Sequence, residues 1–225
     1  MSWCSEIEWQ SPAGETLLAL IAALPKDREF HITLFGSSPL QLAIEKTFTS
    51  ADVDLFADET HDLLEAAIDA AGLGKGQRNV YIQLCAGTNF RTSPRWAGRV
   101  AHFQREHCHF ILPHPIDILI AKMHRCDEKD LRAFRLVIER TGHPTEGELM
   151  EELQAAVDLY RPNFDEEVAS DITTGTRVVW NEIFGRDINV RQEIIAPAIV
   201  RRNAGYADDI PREDYVSKIR ELGAE

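Results

Sequence analysis

The chain has 225 residues, 44% of them hydrophobic, enough to bury a full core and to build two compact units. It carries 24 basic against 37 acidic side chains, a formal net charge of −13 that argues against broad, non-specific nucleic-acid binding. No apolar run approaches the length of a membrane span, the first residues carry an acid in place of the basic start of a secretory leader, and the chain reads as cytoplasmic with no membrane partner.

In chain order, residues 14–24 have the apolar run of a helix stopped by Pro25, and residues 30–35 alternate as a strand through Phe30, Ile32 and Leu34. Pro39 suits the first turn of a helix over 39–46, in which Leu40, Ala43, Ile44 and Thr47 recur at helical spacing. Residues 52–56 form a second strand. An amphipathic helix over 62–71 runs into Gly72, Gly74 and Gly76. A third strand covers 80–84, a polar loop 87–94, and short strands 99–103 and 109–112. Helices follow over 115–126 and 128–139, broken by Gly142 and Pro144. From there the pattern is helical, over 146–159, 166–184, 191–202 and 212–222, punctuated by Pro162, Gly185, Pro197, Gly205 and Pro211. The plan is an α/β (α+β) unit over 1–142, a mixed sheet flanked by helices, followed by a helical C-terminal region over 143–225. There is no internal repeat.

The four cysteines, Cys4, Cys85, Cys108 and Cys126, have no paired spacing and read as reduced thiols. On a strand, His107 and His109 share a face while Cys108 takes the other, so these three do not converge on one ion. Basic side chains gather at Arg91, Arg95, Arg99 and Arg105, and again at Arg125, Lys129, Arg132, Arg135 and Arg140. Either run reads as a solvated face as readily as a patch for a partner.

Chemistry concentrates in Gly36-Ser37-Ser38 after the first strand and Asp52-Val53-Asp54 on the second. Asp52 and Asp54 are two residues apart, so on a strand they share a face while Val53 and Leu55 take the opposite one. Adjacent carboxylates repel and raise each other's pKa unless a cation lies between them, and a hard divalent ion such as Mg2+ suits their oxygens. Mg2+ takes its remaining ligands readily from substrate phosphates, so the pair points to nucleotide chemistry.

The order Gly-Ser, an intervening helix and Asp-x-Asp on a strand resembles the nucleotidyltransferase superfamily, the polymerase-beta-like enzymes. In that group the Gly-Ser turn holds nucleotide phosphates and the aspartates bind the metal. The intervening stretch here, 38–51, is slightly longer than the usual range, and Thr47, Phe48 and Thr49 stand where toxin-type members often carry an arginine. A second constellation narrows the resemblance. Pro115-Ile116-Asp117-Ile118 opens one helix, Lys122 lies on it, and Asp127-Glu128-Lys129-Asp130 opens the next. With Trp96 and Arg99 upstream, this is similar to the toxin-type AbiEii and DUF6036-like nucleotidyltransferases over residues 30–140.

The resemblance implies Mg2+-dependent transfer of a nucleoside monophosphate from a nucleoside triphosphate to an acceptor hydroxyl. The implied metal ligands are Asp52 and Asp54, and the implied nucleotide-binding residues are Gly36, Ser37, Ser38 and Lys122. Asp130 is the implied general base or acceptor-orienting group, with Asp127 competing. An RNA acceptor such as a tRNA end, and a cognate antitoxin or a second copy of the chain as partner, follow from the same resemblance. One departure stands out: the strand over 81–85 carries Gln83 where active members add a third carboxylate. That leaves open a fold that binds nucleotide or a partner protein without turnover.

Overall fold

The computed structural model of the chain describes residues 3–48, 50–57, 60–161 and 172–209. Among these residues it is a mixed α/β fold with one sheet of five strands in the order β3-β2-β1-β5-β4. These are β1 (Phe30–Leu34), β2 (Asp52–Phe56), β3 (Tyr81–Leu84), β4 (Ala101–Arg105) and β5 (Cys108–Leu112). β1 runs antiparallel to β2 and parallel to β5, β2 is parallel to β3, and β4 closes the far edge antiparallel to β5.

Alternation sets the two faces. Phe30, Ile32 and Leu34 of β1, Val53 and Leu55 of β2, and Cys108, Phe110 and Leu112 of β5 are buried on the inner face. Against that face pack α1 (Pro12–Ala23) and α3 (His61–Ala70), which form the first hydrophobic core with the sheet. α1 starts two residues earlier than its apolar run predicts, because Ser11 Oγ accepts the Gly14 N–H at 3.1 Å and Pro12 fits the first turn. β2 spans the residues expected of it. β4 begins two residues later than expected, because Trp96–Arg99 winds into a 3-10 turn first.

The second core is helical. It joins Leu40 of α2 (Ser38–Ala43) to α4 (Pro115–Lys122), α5 (Glu128–Thr141), α6 (Glu146–Ala155) and α7 (Ile172–Val179). Phe134, Leu149, Leu153, Val179 and Trp180 are all fully buried in it, so packing continues across residue 142. α4 stops at Lys122, short of the expected 126. The chain then turns, Cys126 adopts a left-handed φ of 53°, and Asp127 restarts helix as the N-cap of α5. Of the helix expected over 166–184, the described part is α7 with a π-helical turn at Trp180–Phe184. The one expected over 191–202 is a π turn at Arg191–Ile195 leading into α8 (Ala196–Asp209). The helix expected over 212–222 lies outside the described residues. Among the described residues no helix is long and apolar enough to cross a membrane.

Candidate active site

The Gly-Ser turn leaves β1 at its C-terminal end, where Phe35 N–H bonds the Asp54 carbonyl at 2.8 Å and docks the turn against β2. Gly36 sits at φ 61°, a left-handed conformation that glycine adopts freely. A Cβ there would overlap Asp54 Oδ2, so the bare backbone lies directly against that carboxylate. Asp52 and Asp54 are half-buried on the outer sheet face, as the alternation predicts. Asp52 Oδ1 accepts from Ser50 Oγ at 2.8 Å. Burial pushes the Asp54 carboxyl up, and the nearby Asp52 charge adds to the shift.

Cys85, just past β3, directs its thiol at Asp54 Oδ1 at 3.6 Å. Burial and the two aspartates push that thiol up to about 12, so it stays protonated and donates to the carboxylate. The ion-binding donors offered here are therefore the carboxylate oxygens of Asp52 and Asp54, a set that fits a hard cation such as Mg2+. Gln83 is the cross-strand neighbour of Asp54 and shares its face, so the position beside the pair carries an amide.

The facing wall comes from the second core. Lys122, at the last turn of α4, is only 8% exposed and reaches back across the fold to Ser37 Oγ at 2.8 Å. Its Nζ also donates to Asp130 Oδ1 at 3.0 Å. Burial lowers the Lys122 pKa, and Asp130 opposes that shift. Asp130 is fully buried. The exposed Arg125 grips it with a fork, Nε to Oδ2 at 3.0 Å and a terminal nitrogen to Oδ1 at 2.9 Å. Although burial pushes the Asp130 carboxyl up, Arg125 and Lys122 together hold it below the usual carboxylate range.

Asp127 is the N-cap of α5. It accepts the Asp130 N–H at 3.0 Å, while its own N–H bonds back to Asp130 Oδ2 at 3.3 Å, completing a capping box. Both Asp130 oxygens are thus occupied, which leaves no lone pair for a general base and makes Asp130 the group that positions Lys122. Ser38 also departs from expectation. It is fully buried, its hydroxyl donates to the Phe35 carbonyl at 3.2 Å, and it does not line the cleft.

Gly36, Ser37, Asp52, Asp54, Lys122 and Asp130 all line one open cleft of about 310 Å³. Phe35, Phe90, His124, Arg125 and Lys129 are among its other lining residues, none of which the sequence pattern singled out as a site residue. Phe90 stacks on Phe35 with centroids 4.7 Å apart, and Trp96 meets Phe90 edge-on at 5.5 Å. An aromatic residue inside the otherwise polar 87–94 loop was the available signal for this wall.

Arg99, which carries part of the resemblance, ties the architecture together. It forks onto Asp117 of α4, with two bonds of 2.7 Å, and reaches Glu152 of α6 at 2.8 Å. Thr92 Oγ1 bonds the Asp117 carbonyl and Ser93 Oγ bonds Glu152, each at 2.8 Å, so the loop before β4 is held by the same network. Compared with known proteins, the chain matches no protein-family model, no curated protein and no solved structure.

Proposed function

We propose that the chain is a nucleotidyltransferase-type enzyme that moves a nucleoside monophosphate from a nucleoside triphosphate to an acceptor hydroxyl with Mg2+ as cofactor. The acceptor oxygen forms a bond to the α-phosphorus, and the bond from that phosphorus to the departing pyrophosphate breaks. One observation carries the reading. Residues carried by the turn after β1 and by β2, α4 and α5, as far apart in sequence as Gly36 and Asp130, converge on one cleft that opposes a carboxylate pair to a buried lysine.

Asp52 and Asp54 would hold the ion, whose chemistry when bound is to neutralise charge on the phosphates and polarise them. Gly36 keeps the turn thin enough for a phosphate to approach backbone and carboxylate together. Lys122 acts as a point charge toward the phosphates, aimed by Asp130 and Ser37. Phe90 offers a half-buried ring for stacking a base. An RNA acceptor and a cognate antitoxin or second copy as partner belong to this proposal through the resemblance to toxin-type members.

A second reading has its own support. Gln83 stands beside Asp54 and Asp130 is saturated, so the cleft offers no free third carboxylate among its described lining residues. That composition favours nucleotide binding without turnover.

Calorimetry of Mg2+ with each nucleoside triphosphate tests what both readings share. Binding is expected in the wild type and at least about 10-fold weaker in Asp52→Asn/Asp54→Asn and in Lys122→Gln, a loss of 1.4 kcal/mol or more. Asp130→Asn is expected to weaken it less, because Ser37 still holds Lys122. A wild type that binds no triphosphate ends both readings. Transfer of α-labelled phosphate into total RNA then decides for the enzyme, and tight binding with no label transfer to any acceptor decides for the binding protein.

A further inference from the structure

On the same outer sheet face as Asp52 and Asp54, but at the opposite end of β1, stands a second group of metal-ligating side chains. Parallel pairing sets His31 of β1 directly abreast of His109 of β5. Their rings stack with centroids 4.8 Å apart and planes 13° from parallel. Glu29, just before β1, brings Oε2 to 3.6 Å from His109 Nε2. One ligand atom from each of the three residues lies within 4.8 Å of the others. His109 Nε2 is itself buried and has no hydrogen-bond partner, since the Glu29 contact is too long to be one.

We propose that Glu29, His31 and His109 form a metal site for a borderline divalent ion of the Zn2+ class, separate from the acidic cleft. Two imidazoles and one carboxylate match that class and are a poor set for Mg2+, which prefers oxygen throughout. Around an ion with ligand bonds of roughly 2.1 Å, tetrahedral donors sit roughly 3.4 Å apart. The Glu29–His109 separation is already close to that value. The longest separation, up to 4.8 Å, must close by up to about 1.4 Å, within reach of side-chain rotation at the exposed Glu29 and His31.

The strand pairing supplies the preorganisation, because β1 and β5 hold the two imidazoles at fixed register. Three protein ligands leave a fourth position for water, as in open zinc sites. The bound ion would cross-link β1 to β5 and give His109 Nε2 the partner it lacks. Within 107–109 the histidines read as unable to share an ion with Cys108, and Cys108 is indeed fully buried on the inner face. The partner of His109 comes from the neighbouring strand.

Calorimetric titration of Zn2+ into the untagged full chain tests this, with millimolar Mg2+ present to occupy the acidic pair. One equivalent is expected to bind. His31→Gln and His109→Ala are each expected to weaken it at least about 10-fold and Glu29→Gln severalfold. Zn2+ is also expected to raise the wild-type melting temperature and to raise that of His31→Gln by less at the same concentration. His31 is exposed, so its variant keeps the fold even if His109→Ala does not. No binding in the wild type, or equal affinity in His31→Gln, overturns the proposal. The outcome is independent of triphosphate binding in the cleft, so failure here leaves the proposed function untouched and the converse also holds.

Discussion

At the scale of single residues, the site is built on contacts that tolerate little change. Gly36 carries two constraints at once, a left-handed φ of 61° and a carboxylate oxygen where a Cβ would go. Gly142, the αL residue that closes α5 at φ 74°, carries only the first, since nothing lies within 4 Å of its Cβ position. Gly142→Ala should therefore cost about 1–2 kcal/mol of stability and leave triphosphate binding intact. Gly36→Ala should cost at least as much and also displace Asp54, with triphosphate affinity falling about 10-fold or more. Urea denaturation and calorimetry on both variants check this, and equal affinity in the two would show that Asp54 does not need the gap. The Asp-x-Asp pair was legible in the sequence because alternation alone fixes which face it takes. The saturation of Asp130 was not, because a capping box and an arginine fork meet there in three dimensions while the sequence shows only neighbouring charges.

At the scale of elements, α4 is the lever that presents Lys122, and its start is held by an unusual cap. His114 Nδ1 accepts the Ile116 N–H at 3.2 Å, a bond that requires that nitrogen to be unprotonated. Burial lowers the His114 pKa to about 4, and the charge of Arg99 adds to this, while Glu152 and Glu148 oppose it. The unfolded chain takes up the same proton near pH 6.5. Between those two pH values the unfolded state binds more protons, so stability falls as the pH drops through this window. The loss is on the order of 2 kcal/mol once partial exposure is allowed for. His114→Gln should flatten the change in urea midpoint between pH 7 and pH 4.5, and an unchanged slope would remove His114 as its source. The sequence placed the start of α4 through Pro115 but overran its end. Nothing in the local pattern marks Cys126 as left-handed. Across that break Lys122 Nζ meets Asp130 Oδ1 at 3.0 Å, a contact between two helices that the local pattern does not encode.

At the scale of the whole molecule, the cleft lies between the β1–β2 part of the outer sheet face and α4 and α5 of the helical core, while the other core fills the inner face. Composition shift and Gly142-Pro144 mark a division at residue 142 in the sequence. The second core, however, draws α4 and α5 from before that point and α6 and α7 from after it. The signal for this is tertiary, in the fork by which Arg99 joins Asp117 to Glu152, 35 positions apart. Asp117 is fully buried and Glu152 nearly so, which makes the arginine a clamp whose loss strands two carboxylates in the interior. Arg99→Met should destabilise the protein by about 3–5 kcal/mol. Replacing all three members, Arg99→Met/Asp117→Leu/Glu152→Leu, should recover most of that, because no unpaired charge remains buried. Chemical denaturation followed by both far-ultraviolet circular dichroism and tryptophan fluorescence reads the outcome. If the two cores fold as one unit, the probes give coincident transitions in all three proteins and the midpoint alone moves. A transition that splits in Arg99→Met would instead mean that the clamp is what couples the helical core to the sheet, and with it the lysine wall of the cleft to its carboxylates.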